Sequence, residues 1–208
     1  MSCEISFDDF VPDISVRTDG IPENVAAHFA RVAAIEFARD THIIRRTIWV
    51  DVQEGQQAYP LCVEDDYRIL AISQVVLNGC ELPAWPRGKR LAECMYRNWY
   101  VFEPPHNLMV APVPCEDAAE ALEVHLVVCP GQDSCSIDQI VYDLYAETIT
   151  DGALARIYAM RGEDWEDIRL ADQHRRLFHQ AKALAKMRDQ HNYSAAPVKM
   201  GMPRGVLV

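Results

Sequence analysis

The histidines are the residues of this sequence whose type best suits metal binding or general-base chemistry. His174 and His179 are five positions apart, whereas a helix that binds a metal through two histidines presents them four positions apart. His125 and Cys129 share the parity of one predicted strand, but no second ligand pair lies near them in the sequence. The spacing therefore predicts neither a metal site nor a bound cofactor.

Short motifs for catalysis or phosphate binding are also missing from the sequence. There is no G-x-S-x-G elbow, no G-x-x-x-x-G-K-S/T loop and no G-x-G-x-x-G turn. The grouped carboxylates Glu64–Asp66 and Glu163–Asp164 have no neighbours that would raise a pKa for general-acid work. We therefore predict a non-enzymatic protein with no catalytic residue, and a small hydrolytic enzyme is the less favoured alternative.

The cysteine pattern and the N-terminal residues indicate the cellular compartment in which the protein is expected to fold. The seven cysteines are scattered and form no C-x-x-C pair. The start, MSCEISFDDF, has neither the basic nor the apolar region of a signal peptide. No stretch approaches the roughly 18–20 apolar residues of a membrane span. We expect free thiols in a reducing cytoplasm and no membrane partner.

Charge is distributed unevenly along the 208 residues, whose net charge is −11. Residues 101–150 contain nine carboxylates and no Lys or Arg, whereas residues 168–208 contain eight Lys and Arg against two Asp. The net charge argues against a basic face that holds DNA phosphates. The asymmetry predicts interaction surfaces of opposite sign, with ordinary solvated surfaces as the alternative.

Hydrophobic periodicity predicts which elements position these charges. A first helix runs from Pro22 to about Thr41, with Val25, Phe29 and Val32 on one face. The middle of the chain, about 46–131, reads as strands joined by turns. Its clearest strand is AEALEVHLVVCPG, where apolar residues alternate with polar ones.

Two further helices are predicted after the strands. The first begins near Ser136, has Ile140 and Leu144 at helical spacing, and contains Gly152, which marks a close contact between helices. The second begins near Glu163, and its broad apolar face comprises Trp165, Ile168, Leu170, Ala171, Leu177, Phe178, Ala181, Leu184 and Ala185. The opposite face is basic and consists of Arg169, Arg175, Arg176, Lys182, Lys186 and Arg188.

These elements predict an α+β fold built from a helical bundle and an inserted domain. One N-terminal and two C-terminal helices, in residues 1–45 and 136–191, form the bundle domain. Residues 46–135 form the inserted antiparallel β-rich domain. Residues 192–208 contain no acid and no helical period, and they read as an extended C-terminal arm that orders on a partner. A disordered tail is the alternative.

Several segments resemble the head-to-tail adaptor proteins of tailed bacteriophages. They are VAAHFARVAAIEFARDTHIIRRTIWVDV, the group Gln57, Tyr59, Pro60 and Leu61, YRILAISQVVLNGCELP, and AETITDGALARIYAMRGEDWEDIRLADQHRRLFHQAKALAK. Gly152–Arg156, Met160, Gly162 and Trp165 lie in the last of these. The chain is most similar to the tail tubular, or gatekeeper-ring, adaptors of short-tailed phages, and the similarity covers about residues 22–190.

The resemblance implies a structural virion protein of the tail or neck, assembled in the host cytoplasm. Such adaptors form a ring, typically dodecameric, between the portal protein and the tail nozzle protein. The genomic DNA passes through the ring without sequence-specific binding. A stopper or completion protein of a long-tailed phage is an alternative with the same kind of ring contact.

Three groups of residues are candidate contacts under this interpretation. The resemblance assigns the arm to portal binding, through Tyr193, Pro197, Val198, Met200, Met202, Arg204, Val206, Leu207 and Val208. The basic helix face would contact the portal or a neighbouring subunit. The acidic group would line the lumen or form a subunit interface, and it comprises Glu103, Glu116, Asp117, Glu120 and Glu123.

Overall fold

The computed structural model describes residues 4–85 and 98–190. In chain order the elements are β1 (Glu4–Ser6), a 3₁₀ turn (Phe7–Phe10), α1 (Val11–Ser15), α2 (Glu23–Thr41), β2 (Arg45–Val52), β3 (Ala58–Pro60), β4 (Tyr67–Leu77), β5 (Cys80–Leu82), β6 (Trp99–Glu103), β7 (Asn107–Ala111), β8 (Ala118–Pro130), β9 (Ser136–Asp138), α3 (Gln139–Ile157) and α4 (Ile168–Gln190). The α+β class is confirmed, and the paired strands are antiparallel.

The strands of the described chain form three sheets. A four-stranded sheet has the order β2-β8-β4-β5, a three-stranded sheet the order β3-β7-β6, and β1 pairs with β9. The two larger sheets share one apolar core, with Val75 and Leu122 from the first and Leu108 and Val110 from the second. Among the described strands, β4–β5 and β6–β7 are consecutive pairs joined by turns, whereas β2–β8, β4–β8, β3–β7 and β1–β9 pair strands that are distant in the sequence.

Strand β8 is the structural centre of the larger sheet, between β2 and β4. Its residues Leu122, Val124, Leu126 and Val128 are fully buried, as the predicted alternation requires. The intervening Glu123 and His125 face outward and are half-buried. Trp49 lies opposite Glu123 on this outer face, and its side chain is 58% exposed.

Helices α2, α3 and α4 contact one another, and small residues allow their close approach. The buried face of α2 consists mostly of alanines, together with Phe37 and Thr41, whereas Val25, Phe29 and Val32 are half-buried. A Cβ on Gly152 of α3 would lie 2.8 Å from the Phe178 ring and 2.9 Å from the Ala33 Cβ. The prediction that Gly152 marks a close contact between helices is therefore confirmed.

The predicted helix boundaries need correction. Helix α4 begins at Ile168 rather than near Glu163, because Asp167 Oδ1 accepts the backbone N–H groups of Arg169 at 2.8 Å and Leu170 at 3.0 Å. Helix α3 begins at Gln139 rather than near Ser136, because residues 136–138 pair with β1 as strand β9.

The predicted faces of the late helices are wrong at several positions. Ile168, Leu177 and Leu184 were expected in the core, but their side chains are 53%, 41% and 56% exposed. Ile140 and Leu144 of α3 are likewise 56% and 51% exposed. Among the apolar residues of α4, only Ala171, Phe178 and Ala185 are fully buried. The side of α4 that faces the core is therefore narrower than predicted.

Candidate functional site

Five members of the predicted basic face of α4 lie on the surface. These exposed residues are Arg169, Arg175, Arg176, Lys186 and Arg188. Arg175 pairs with Asp172 at 3.1 Å, one helical turn away, and both side chains are about half exposed. Exposed pairs of this kind contribute little stability, so these cations remain available to a partner.

Lys182 is a correction to the predicted basic face, because its residue is only 8% exposed. Its Nζ donates to Glu36 Oε1 at 2.6 Å and to Asp40 Oδ2 at 2.7 Å, both on α2. Nζ also lies 4.6 Å from the centroid of the Phe178 ring. Lys182 therefore joins α4 to α2, and it is not part of the exposed surface.

Glu36 is the shared acceptor of this network. Arg156 donates to Glu36 Oε2 and, at 2.5 Å, to the carbonyl oxygen of Gly152. Burial by itself would raise the pKa of Glu36, but the hydrogen bond from Lys182 and the charges of Arg156 and Lys182 lower it overall. The carboxylate thus stays ionised among the helices and holds α2, α3 and α4 together.

We expect Glu36 to contribute to acid unfolding. A lowered pKa in the folded chain stabilises it above the ordinary carboxyl pKa, and that contribution is lost as the pH falls through the lowered value. Between about pH 5 and pH 3, the free energy of unfolding should fall less steeply in Glu36→Gln than in the wild type. Denaturant unfolding at a series of pH values measures the slope.

Lys182→Met is the matched control for this prediction, because it removes the hydrogen-bond donor and leaves the carboxyl group in place. Its slope should lie between those of the wild type and Glu36→Gln, since Arg156 still lowers the pKa of Glu36. Identical slopes in all three proteins would contradict the ion-pair network.

Four of the five predicted acidic residues gather at the start of β8. Glu116 and Asp117 immediately precede the strand, and Glu120 and Glu123 lie within its first half. Glu103 does not join them. It ends β6 in the other sheet, where its carboxylate accepts a hydrogen bond from Asn107 at 3.2 Å.

Strand pairing brings two further carboxylates to this group. The backbone N–H of Glu54 donates to Asp117 Oδ1 at 2.6 Å, and that of Glu120 donates to Asp51 Oδ1 at 2.8 Å. We name Asp51, Glu54, Glu116, Asp117 and Glu120 the acidic end. Sequence reasoning missed Asp51 and Glu54, and only the register between β2 and β8 identifies them.

The acidic end lies one strand length from the basic helix. At the opposite end of β2, Arg45 Nη2 donates to Asp189 Oδ2 of α4 at 2.6 Å. Asp51 is six residues further along the same strand, or about 20 Å at 3.3 Å per residue. In the folded subunit, the uneven charge of the sequence therefore becomes a negatively charged end of the sheet and a positively charged helix that lie apart from each other.

Arg46 and Asp138 connect the large sheet to the start of α3, and sequence reasoning missed both. Arg46 donates two hydrogen bonds to the Asp138 carboxylate, at 2.8 and 2.6 Å, and Tyr67 OH donates a third at 3.2 Å. The hydrogen bonds to Asp138 raise the pKa of Arg46, and burial first, then the charge of Asp138, raises the pKa of Tyr67. No local pattern marks a pair that is 92 residues apart.

A buried histidine–carboxylate pair lies between α3 and α4. His174 Nδ1 is 2.9 Å from Asp151 Oδ1, and the His174 ring stacks on Tyr158 with centroids 5.7 Å apart. Tyr158 OH donates to the carbonyl oxygen of Arg17 at 2.6 Å. These groups contact one another and hold the N-terminal segment against α3 and α4. Their role is therefore structural.

A cleft of about 460 Å³ opens between α2 and the turn after β8. Part of its polar lining is engaged internally: Arg31 contacts His28 at 3.2 Å, Arg39 lies 3.8 Å from Asp40, and Glu36 is held by Lys182 and Arg156. Gln132 and Asp133 complete the polar lining. These contacts do not single the cleft out as a substrate site.

Residues 4–85 and 98–190 contain neither a cluster of metal-ligating side chains nor a membrane-spanning helix. These residues include no group of three or more His, Cys, Asp or Glu side chains placed to hold a metal ion. Their helices are too short or too polar to cross a membrane. The predicted portal-binding arm, residues 193–208, lies outside the part of the chain that the structure describes.

The chain was compared with known protein families and curated proteins. The sequence matches the family described as SU10 adaptor protein over residues 5–201, a range that includes all the described helices and strands except Glu4 of β1. No curated protein matches it.

Proposed function

This chain belongs to the SU10 adaptor protein family of structural phage adaptors, and on that premise we propose that it forms a ring between the portal and the tail nozzle, dodecameric like the rings of the adaptors it resembles. The observation that carries the proposal is the family match over residues 5–201. The ring would lie in the neck or tail of the virion, contact both proteins and surround the passing DNA.

A ring requires each subunit to carry two different complementary faces. The exposed cations of α4 and the carboxylates of the acidic end support such a pair of faces, because they are opposite in sign and about one strand length apart in one subunit. A stopper protein of a long-tailed phage would use the same kind of contact with different neighbours, so the charge separation does not distinguish it.

The exposed carboxylates of the acidic end fit two roles, either lining a channel through which DNA passes or forming an interface between subunits. Its five residues are exposed, and segment 101–150 contains no Lys or Arg. Negative charge along a channel repels phosphates and leaves the duplex free to slide. We propose the acidic end as a lumen surface, with the subunit interface as its alternative.

The composition and length of the C-terminal arm support the proposal that it attaches the subunit to the portal. Residues 192–208 carry Lys199 and Arg204 with no acid, and they end in Gly-Val-Leu-Val. Fully extended, these residues reach at most about 56–61 Å at 3.3–3.6 Å per residue. That length reaches a partner ring or a second subunit.

Binding to the portal tests both the ring and the arm. We expect the full chain to assemble on purified portal of the same phage, and a chain shortened to residues 1–192 to lose most of this binding because the anchor is gone. Co-sedimentation measures binding, and electron microscopy of the complex gives the ring number and the residues that line the lumen.

A full-length variant with residues 193–208 in scrambled order is the matched control, because it keeps the length and charge of the arm. Binding by the scrambled variant at the wild-type level would assign the arm a purely electrostatic role. If the shortened chain binds fully, the arm is not the anchor although the adaptor function stands. If the full chain fails to bind, the adaptor function is wrong.

A further inference from the structure

Helix α4 exposes a row of large apolar side chains on the side away from its own core. Leu177 is 41% exposed, Leu184 56% and Met187 55%. Successive residues of a helix are about 100° apart, so these three fall within one sector of about 80°. Ala171, Phe178 and Ala185, which are buried, lie about 80–120° from Leu177, the nearest residue of the row, by the same rotation.

Cations border this row. Arg176 and Arg188 are exposed, and their positions on the helix fall on either side of the three apolar residues. We name Leu177, Leu184 and Met187, together with Arg176 and Arg188, the α4 stripe. An apolar centre with a charged rim is the usual composition of a protein interface.

Helix α3 exposes a second apolar surface, and the charged residues beside it are acidic. Ile140 is 56% exposed and Leu144 51%, whereas the adjacent Val141 and Tyr145 are buried. The exposed carboxylates nearest to them in the chain are Asp143 and, beyond the break in the helical backbone at Tyr145 (φ −139°, ψ 17°), Glu147. We name Ile140, Leu144, Asp143 and Glu147 the α3 patch.

A further apolar residue adjoins the α3 patch. Glu147 Oε1 lies 3.8 Å from Arg17 Nη2, which brings the N-terminal segment beside the patch. Val16, the preceding residue, is 86% exposed. Within residues 4–85 and 98–190, the apolar side chains of the α4 stripe and the α3 patch are thus left in solvent, where their burial would be favourable.

We propose that the α4 stripe of one subunit packs on the α3 patch of the next subunit, an inference that rests on the proposed ring. Apolar residues meet at the centre of this contact, and Arg176 and Arg188 face Asp143 and Glu147 across its rim. The two surfaces differ, so the contact is heterologous and repeats from subunit to subunit, as a ring requires. A contact between two α4 stripes would instead place like charges together.

Cross-linking in phage particles tests this contact. The variant carries Leu144→Cys and Leu184→Cys in a chain in which all native cysteines except the buried Cys129 are serine. A flexible bis-maleimide tolerates small offsets between the two sites. Because each subunit has one cysteine on each surface, we expect a ladder of products that extends beyond the dimer.

Two controls separate this contact from other arrangements. Leu184→Cys alone should give no homodimer, whereas a contact between two α4 stripes would give one. Leu184→Cys combined with Trp49→Cys, an equally exposed position on the sheet, should not give a ladder. Adding Arg176→Glu and Arg188→Glu to the test variant should abolish most of the ladder, and further adding Asp143→Arg and Glu147→Arg should restore it.

The possible results of the cross-linking experiment distinguish a failure of the proposed subunit contact from a failure of the proposed adaptor function. If the chain is present in particles but the test variant gives no ladder, the subunit contact is wrong and the adaptor function stands. Cross-links from Leu184→Cys to the portal, or to the arm of the same chain, would assign the α4 stripe to that occupant and overturn the contact. If the chain is absent from particles, the adaptor function fails, and the subunit contact fails with it.

Discussion

Replacing Asp138 with alanine is expected to lower the free energy of unfolding by about 3–5 kcal/mol. The Asp138 side chain is 8% exposed and accepts two hydrogen bonds from Arg46 and one from Tyr67. Without the carboxylate, the guanidinium of Arg46, which is 17% exposed, keeps its charge but loses its principal partner. The cost arises mainly from this largely desolvated cation, whose remaining ion partner is the half-exposed Glu64, at 3.3 Å from Arg46 Nε.

Denaturant unfolding of the full chain measures the effect, with Asp143→Ala as the matched control. Asp143 lies in α3, the helix that follows Asp138, and is exposed, so its replacement should change stability by less than about 0.5 kcal/mol. Replacing both members of the pair, Arg46→Met with Asp138→Leu, should cost less than Asp138→Ala because no charge is left unpaired. Equal stability of Asp138→Ala and wild type would contradict the described junction.

Replacing Gly152 with valine should destabilise the helices by about 3 kcal/mol, near the upper end of the cost of overpacking. A single added Cβ would already lie within 3 Å of the Phe178 ring and the Ala33 methyl group. Valine adds two more methyl groups at a site where α2, α3 and α4 meet. The gain in helix propensity over glycine, below about 1 kcal/mol, is too small to offset the clash.

Thermal and denaturant unfolding measure this second effect. Ala183→Val on the exposed side of α4 is the matched control, and its cost should stay within about 0.7 kcal/mol, the range of helix propensities. Phe178→Leu in the Gly152→Val chain should recover part of the loss, because a smaller side chain gives the valine room. A Gly152→Val chain as stable as the wild type would show that the helices can separate at no cost.

Both positions bear on assembly as well as on stability. Asp138 is the residue before α3, and Gly152 lies in the same helix, so each helps to set where the α3 patch stands relative to the sheets and to α4. A subunit that remains folded but shifts α3 would lose the geometry that the proposed subunit contact requires.

Local periodicity was sufficient to predict the main elements of this protein. The alternation in β8 and the spacing in α2 are properties of neighbouring residues, and they identified a strand and a helix whose bounds the structure largely reproduces. The close contact at Gly152 was also readable, because glycine within a helix is costly unless something requires its small size. The segments shared with phage adaptors pointed to the family that the match over residues 5–201 supports.

Only the tertiary structure decided which residues of the late helices are buried and which charges are paired. Periodicity placed Leu184 in the core and Lys182 on the surface, yet Lys182 is held by Glu36, 146 residues away, and Leu184 is exposed. Asp138 likewise finds Arg46 across 92 residues. Sequence spacing records which side chains share one face of a helix or strand. Which face is covered, and by what partner, depends on packing between elements that are distant in the chain.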